Sequence, residues 1–161
     1  MKFVKLVMLV LALCMPMASF ALTSDEQVEY TEALESGNVN TVQKFLKDKL
    51  VDVNDKFFAW SALQIAANKN QLGVVKVLVE NGADINYKHP ITKMTALHLA
   101  AFDGYEDITK YLISKGADLT IKMRGGVSIV RAVHDQGNTK MEELLLAAGA
   151  KDDGCKEEKC F

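Results

Sequence analysis

Along residues 95–116, apolar side chains recur at Leu97, Ala100 and Ala101 and again at Ile108, Tyr111 and Leu112, with polar positions between them. That spacing predicts two short amphipathic helices, broken apart at Gly104 and ended at Gly116. One such pair cannot bury both of its faces, so it needs neighbours of the same kind. The chain supplies them. Gly37, Asn70, Gly104 and Gly137 align as breakers at spacings of 33, 34 and 33 residues, and twelve residues beyond them stand Lys49, Gly82, Gly116 and Gly149. Residues 62–67, Ala-Leu-Gln-Ile-Ala-Ala, answer residues 96–101, Ala-Leu-His-Leu-Ala-Ala. Val74, Val75, Val77 and Leu78 likewise answer Ile108, Thr109, Tyr111 and Leu112.

With this period and these residues the chain resembles the ankyrin repeat, a β-turn plus two antiparallel helices with a Thr-Pro-Leu-His-x-Ala signature. Thr95-Ala96-Leu97-His98-Leu99-Ala100 lacks only the proline. Ser61 and Gln64 replace the threonine and histidine in the preceding repeat, and residues 128–133, Ser-Ile-Val-Arg-Ala-Val, depart further. The resemblance covers about 125 of the 161 residues. It implies an all-α fold, a solenoid of about four helix-turn-helix repeats with β-turn fingers across residues 22–150. The expected repeats are 22–54 as the N-terminal cap, 55–86, 87–120, and 121–150 as the C-terminal cap. Ser24 is the expected N-cap of the first helix, with Gln27 at its third position. Glu26, Glu29, Glu32 and Glu35 make that helix polar where no repeat precedes it. Val42, Phe45 and Leu46 supply the apolar side of the second helix, and Leu144, Leu145 and Leu146 pack the last one.

The two ends carry other signals. Residues 1–21 combine Lys2 and Lys5, an apolar run to about Pro16 and the small-residue end Ser19-Phe20-Ala21, the pattern of a secretory signal cleaved after Ala21. A run of about 11 apolar residues is too short to span a bilayer, which needs roughly 20. Cys14 raises a lipid anchor, but Leu13 stands where bacterial lipoproteins carry Gly, Ala or Ser. Cleavage removes two of the 19 basic residues and none of the 21 acidic ones, leaving a charge near −4 and no basic field for nucleic acid. The expected location is the periplasm. In the tail, residues 151–161, Cys155 and Cys160 read as a disulfide worth about 2 kcal/mol in an exported chain. The alternatives are a redox pair, for which Cys-x-x-Cys is the tighter pattern, and half of a metal site, which needs His or Cys partners nearby.

Candidate binding residues lie where the repeats depart from one another. Phe57, Phe58 and Trp60 occupy the first finger, Ile91 and Met94 the second, and Arg124 the third beside Gly125-Gly126. Exposed aromatics are over-represented at interfaces. A second row precedes each breaker, at Glu35 and Ser36, Asn68 and Lys69, Phe102 and Asp103, and Asp135 and Gln136, with Tyr105 next to Phe102. His98 lies in the signature, His89 on a finger and His134 in place of an alanine, and no catalytic triad, phosphate loop or metal pair follows from spacing. The reading is a non-enzymatic module without cofactor, monomeric when free. Its expected partner is another folded protein, with no nucleic acid and, after cleavage, no membrane.

Similarity to small exported bacterial ankyrin proteins implies an inhibitor or immunity protein that guards its maker against a cell-envelope enzyme such as a peptidoglycan hydrolase. Some members of that group are linked instead to haem and catalase, which would use His89 or Tyr105. A secreted effector or assembly scaffold is the third reading. Replacement of Trp60 by alanine is expected to weaken binding by about 2 kcal/mol or more and to spare thermal stability.

Overall fold

The computed structural model describes residues 22–151; the expected signal segment and the two tail cysteines, Cys155 and Cys160, lie outside the described residues. Among the described residues, eight α-helices form four consecutive pairs. They are α1 (Ser24–Ser36) with α2 (Val39–Lys47), α3 (Ala62–Asn68) with α4 (Leu72–Glu80), α5 (Ala96–Phe102) with α6 (Glu106–Ser114), and α7 (Ile129–Asp135) with α8 (Thr139–Ala147). A two-strand hairpin, β1 (Lys56–Phe57) and β2 (Trp60–Ser61), precedes α3, and a single 3₁₀ turn, Arg124–Gly126, precedes α7. The first helices of the pairs stack in sequence, α1 on α3, α3 on α5 and α5 on α7, while α2 packs on α4 and α4 on α6. The result is the expected helical solenoid.

The stack is close because its inner row is built from alanine. Ala62, Ala66, Ala67, Ala96, Ala100 and Ala101 are all buried. The larger buried side chains come from both helices of each pair: Tyr30, Leu34, Leu63, Leu97 and Ile129 from the first helices, and Phe45, Leu78, Ile108, Leu112, Met141 and Leu145 from the second. Burying each Val, Leu, Ile or Phe contributes about 1.5–3 kcal/mol. The alanines therefore set the spacing of the stack, and the larger side chains of both helices supply most of its cohesion.

All eight helices end in the same way. The breakers Gly37, Asn70, Gly104 and Gly137 have φ of 81°, 59°, 77° and 71°, and Lys49, Gly82, Gly116 and Gly149 have φ of 54°, 88°, 87° and 94°. In each case the next residue's N–H reaches back over the turn, as in Asn38 to the Ala33 carbonyl at 2.9 Å, Tyr105 to Ala100 at 2.8 Å and Ala117 to Leu112 at 3.0 Å. This left-handed closure satisfies carbonyls that a helix end otherwise strands. At Gly37 even the space is taken, for a Cβ there would stand 2.2 Å from Gln71 Oε1.

Two local expectations change, and a third gains detail. Helix α1 is capped one residue earlier than the Ser24 and Gln27 spacing suggests: Thr23 accepts from the Glu26 N–H at 3.3 Å and the Glu26 carboxylate accepts from the Thr23 N–H at 2.9 Å. A carboxylate at the helix N-terminus is a stronger acceptor than an amide and gains from the helix dipole, which selects Glu26 over Gln27. The same bonds to Thr23 hold the Glu26 carboxyl below the usual range. At the other end, Leu145 is buried and Leu144 half-buried, but Leu146 is 40% exposed and does not pack its helix into the stack. Three consecutive positions span too wide an arc for one helical face. The first finger, expected as a β-turn, is a turn closed by two short paired strands.

The closure at Lys49 carries a cost that glycine would avoid, because a left-handed L-residue is roughly 1–2 kcal/mol unfavourable. Lys49→Gly is expected to stabilise the chain by about 0.5–1 kcal/mol after its greater unfolded freedom is counted, and Asn70→Gly by less, since Asn tolerates this region. A urea midpoint that moves up for Lys49→Gly and hardly at all for Asn70→Gly meets this expectation. A fall for Lys49→Gly contradicts it.

Candidate functional site

The fingers are held by the signature positions of the helices behind them. At the start of α5, Thr95 Oγ1 lies 2.8 Å from His98 Nδ1, and the Thr95 N–H donates to that nitrogen at 3.2 Å. With Nδ1 accepting, Nε2 carries the proton and donates to the Ile121 carbonyl of the next finger at 3.1 Å. Gln64 does the same one repeat earlier. Its Oε1 accepts from the Ser61 N–H at 3.1 Å and its Nε2 donates to the Met94 carbonyl at 2.8 Å. Substituting Gln for His in the signature thus keeps the link between repeats and removes its titration.

A second ladder runs beneath the fingers. Asn54 Oδ1 accepts from the Asp84 N–H and Asn86 Oδ1 from the Asp118 N–H, both at 2.8 Å. Asp52, Asp84 and Asp118 each accept from the N–H two residues ahead, closing their own turns. Sequence reasoning missed these rungs, although Asp52-Val53-Asn54 and Asp84-Ile85-Asn86 repeat the same pattern.

The expected aromatic cluster of the first finger splits three ways. In the hairpin, Lys56 pairs with Ser61 and Phe57 with Trp60, so Phe58 and Ala59 form the turn, with φ of 51° and 70°. Two left-handed residues make this the primed kind of hairpin turn, which favours Asn-Gly. Phe57 turns inward and its ring lies 5.5 Å from that of Tyr30, a wholly buried residue of α1. Trp60 turns sideways and stacks on His89 of the second finger, with ring centres 4.2 Å apart. Phe58 alone points out, 98% exposed. The left-handed turn at Phe58 carries it off the strand that Phe57 ends, and the hairpin register makes Trp60 the neighbour of Phe57.

The first two fingers are tied into one body. Tyr87 donates its hydroxyl to the Ala59 carbonyl at 2.9 Å, and Lys56 Nζ sits 4.3 Å over the Tyr87 ring. His89 is a structural residue here, 6% exposed, whose Nδ1 accepts from the Ile91 and Thr92 N–H groups at 3.4 and 3.3 Å. The third finger joins through the Arg124 N–H, which donates to the Thr92 carbonyl at 2.8 Å. Of the remaining candidates, Ile91 is 64% and Phe102 42% exposed; Asp103 and Arg124 are exposed, and Met94 and Tyr105 are half-buried. Tyr105 lies against the core.

Behind Trp60 opens a groove of about 340 Å³ lined by Glu35, Trp60, Gln64, Ile65, Asn68 and Lys69. Lys69 and Glu35 face each other across it at 3.7 Å, and Gln71 Nε2 donates to the Glu35 carbonyl at 2.7 Å. The groove therefore joins Trp60 to the row of inner-helix ends. Among the described residues no group of three His, Cys, Asp or Glu could hold a metal, and no helix is long and apolar enough to cross a membrane.

The comparisons agree with this architecture. A family profile described as ankyrin repeats (3 copies) matches residues 31–123. The chain belongs to the ankyrin-repeat family. It is 31% identical over 119 residues to the ankyrin repeat and SAM domain-containing protein 6 of Rattus norvegicus, a match covering 71% of this chain and 13% of that protein. It is 32% identical over 95 residues to the ankyrin repeat and KH domain-containing protein mask-1 of Caenorhabditis elegans, covering 59% of this chain and 4% of that protein. The protein phosphatase 1 regulatory subunit 27 of Mus musculus is 34% identical over 92 residues, 56% of this chain and 59% of that protein. The chain thus spans less than two thirds of these relatives. What the family shows is a scaffold for binding other proteins.

Burial pushes the His98 imidazole down from its ordinary 6.5 to about 4, against the opposing effect of its bond to Ile121. The unfolded chain then takes up this proton near pH 6.5 and the folded chain only near 4. Neutral His98 contributes fully above that window, and its contribution is lost as the pH falls through it. The loss is at most about 3 kcal/mol. His98→Gln, which copies Gln64, is expected to fold at neutral pH and to flatten the decline in stability between about pH 6.5 and 4. An unchanged decline in acid denaturation would assign it to other groups.

Proposed function

We propose that the chain is an exported inhibitor or immunity protein that docks its finger row against an envelope enzyme, such as a peptidoglycan hydrolase. The observation that carries this reading is Phe58, a large aromatic held 98% exposed at the apex of a tied hairpin, on a turn its own residue type disfavours. Such an anchor gains little inside the free protein. It fits a pocket on a partner, where an aromatic can supply much of the binding energy. The links from Tyr87, His89 and Arg124 to neighbouring fingers reduce the entropy lost on docking.

Lys2, Lys5, the apolar run and Ser19-Phe20-Ala21 speak for export. One relative is by name the regulatory subunit of a phosphatase, a precedent for enzyme control on this scaffold. The haem reading has less support, because the 6% exposed His89 ring lies against Trp60 and offers a porphyrin no open approach.

Phe58→Ala is expected to weaken partner binding by about 2 kcal/mol, roughly thirtyfold, with an unchanged Tm. Trp60→Ala, expected from the sequence to spare stability, is now expected to lower both binding and stability, since it removes the stack on His89. Calorimetry and thermal melts on the two variants, with co-expressed hydrolases as titrants, check this. Absence of complex formation and of inhibition with every such hydrolase would rule out the immunity reading, and recovery of the tagged chain outside the periplasm would rule out its location.

A further inference from the structure

The fingers differ in charge from the rest of the chain. Lys56, Lys88, Lys93, Lys122 and Arg124 all lie on them and are exposed, against one acid, Asp55, in a chain of 21 acidic and 19 basic residues. Among the described residues none of these five cations is within ion-pair distance of a carboxylate, although the Thr120 hydrogen bonds and, more weakly, the charge of Lys88 hold the Asp118 carboxyl below its usual range. The five ion pairs there lie on the helices or, at Lys69, at the end of one. Lys93 is itself held left-handed, at φ 61°. The hydrogen bonds between fingers make these charges one continuous ridge, from whose crest Phe58 and Ile91 project. Behind the ridge, Glu35, Asp103 and Asp135 stand exposed at the ends of the inner helices.

We infer that the ridge is a docking surface for a folded protein with an acidic patch around an apolar pocket, the pocket receiving Phe58 and the acids meeting Lys88, Lys93 and Arg124. This rests on the protein-binding reading above and specifies the partner's chemistry. Clustered cations on a net acidic chain steer an acidic partner to the fingers while the remaining surface repels it. A continuous polyanion fits less well. It would run past Glu35, Asp103 and Asp135, and its phosphates or sulfates would reward neither Phe58 nor Ile91.

The test uses a phage-displayed library of a small folded scaffold with a randomised surface, selected on the full chain. Expected are binders whose randomised faces are net acidic and contain apolar residues. Their affinity should fall at least about tenfold with K88E/K93E/R124E, with Phe58→Ser, or with salt raised from about 50 to about 300 mM. Circular dichroism melts should show both variants folded, as all four side chains are exposed. Binders that are neutral or basic, or that K88E/K93E/R124E retains, would overturn the inference and leave the protein-binding reading intact. Heparin, duplex DNA or phosphatidylglycerol vesicles binding as tightly, and equally with Phe58→Ser, would overturn it in favour of a polyanion surface. Recovery of no binder at all would overturn the protein-binding reading itself.

Discussion

Everything in this molecule depends on burial between repeats, because no helix pair has a core of its own. Seven-residue inner helices such as α3 and α5 are too short to persist alone, and their Ala-rich faces bury little within one pair. Stacking lets Ala66, Ala67, Ala100 and Ala101 bring backbones close while Val74, Leu78, Ile108 and Leu112 close the gap behind. The left-handed closures at residues such as Gly104 and Gly116 return the chain so that each pair meets the next in register.

Polar links add direction to that apolar cohesion. The Gln64 and His98 side chains reach forward to the carbonyls of Met94 and Ile121, and Asn54 and Asn86 reach forward to Asp84 and Asp118. The second and third fingers therefore hang from the repeats before them, in a place the apolar core leaves open. Surface ion pairs such as Lys110 and Lys140 with Glu106 matter less, because solvent screens them.

The scaffold explains how a binding surface and a stable core divide one short finger. Hairpin geometry sends Phe57 to Tyr30, turns Trp60 to His89 and leaves Phe58 to solvent. Packing on two sides holds the third residue in a conformation its own type disfavours. The strain at Phe58 and Ala59 is then borne by the repeats on either side, and the anchor is presented ready for a partner.

The repeat was legible before any coordinates, because its causes are local: a period of 33 or 34 residues, breakers that need left-handed backbone, and apolar spacing that fits short helices. So was the row of fingers on which Phe58, Ile91 and Arg124 project. Which aromatic faces outward was not legible, since Phe57, Phe58 and Trp60 are alike in chemistry and differ only in their places in the hairpin. Nor was the role of His89, which depends on a ring 29 residues earlier in the chain coming to lie against it. Local spacing determined the repeats of this protein, and the contacts between repeats, which no local pattern encodes, decided which side chains each one shows.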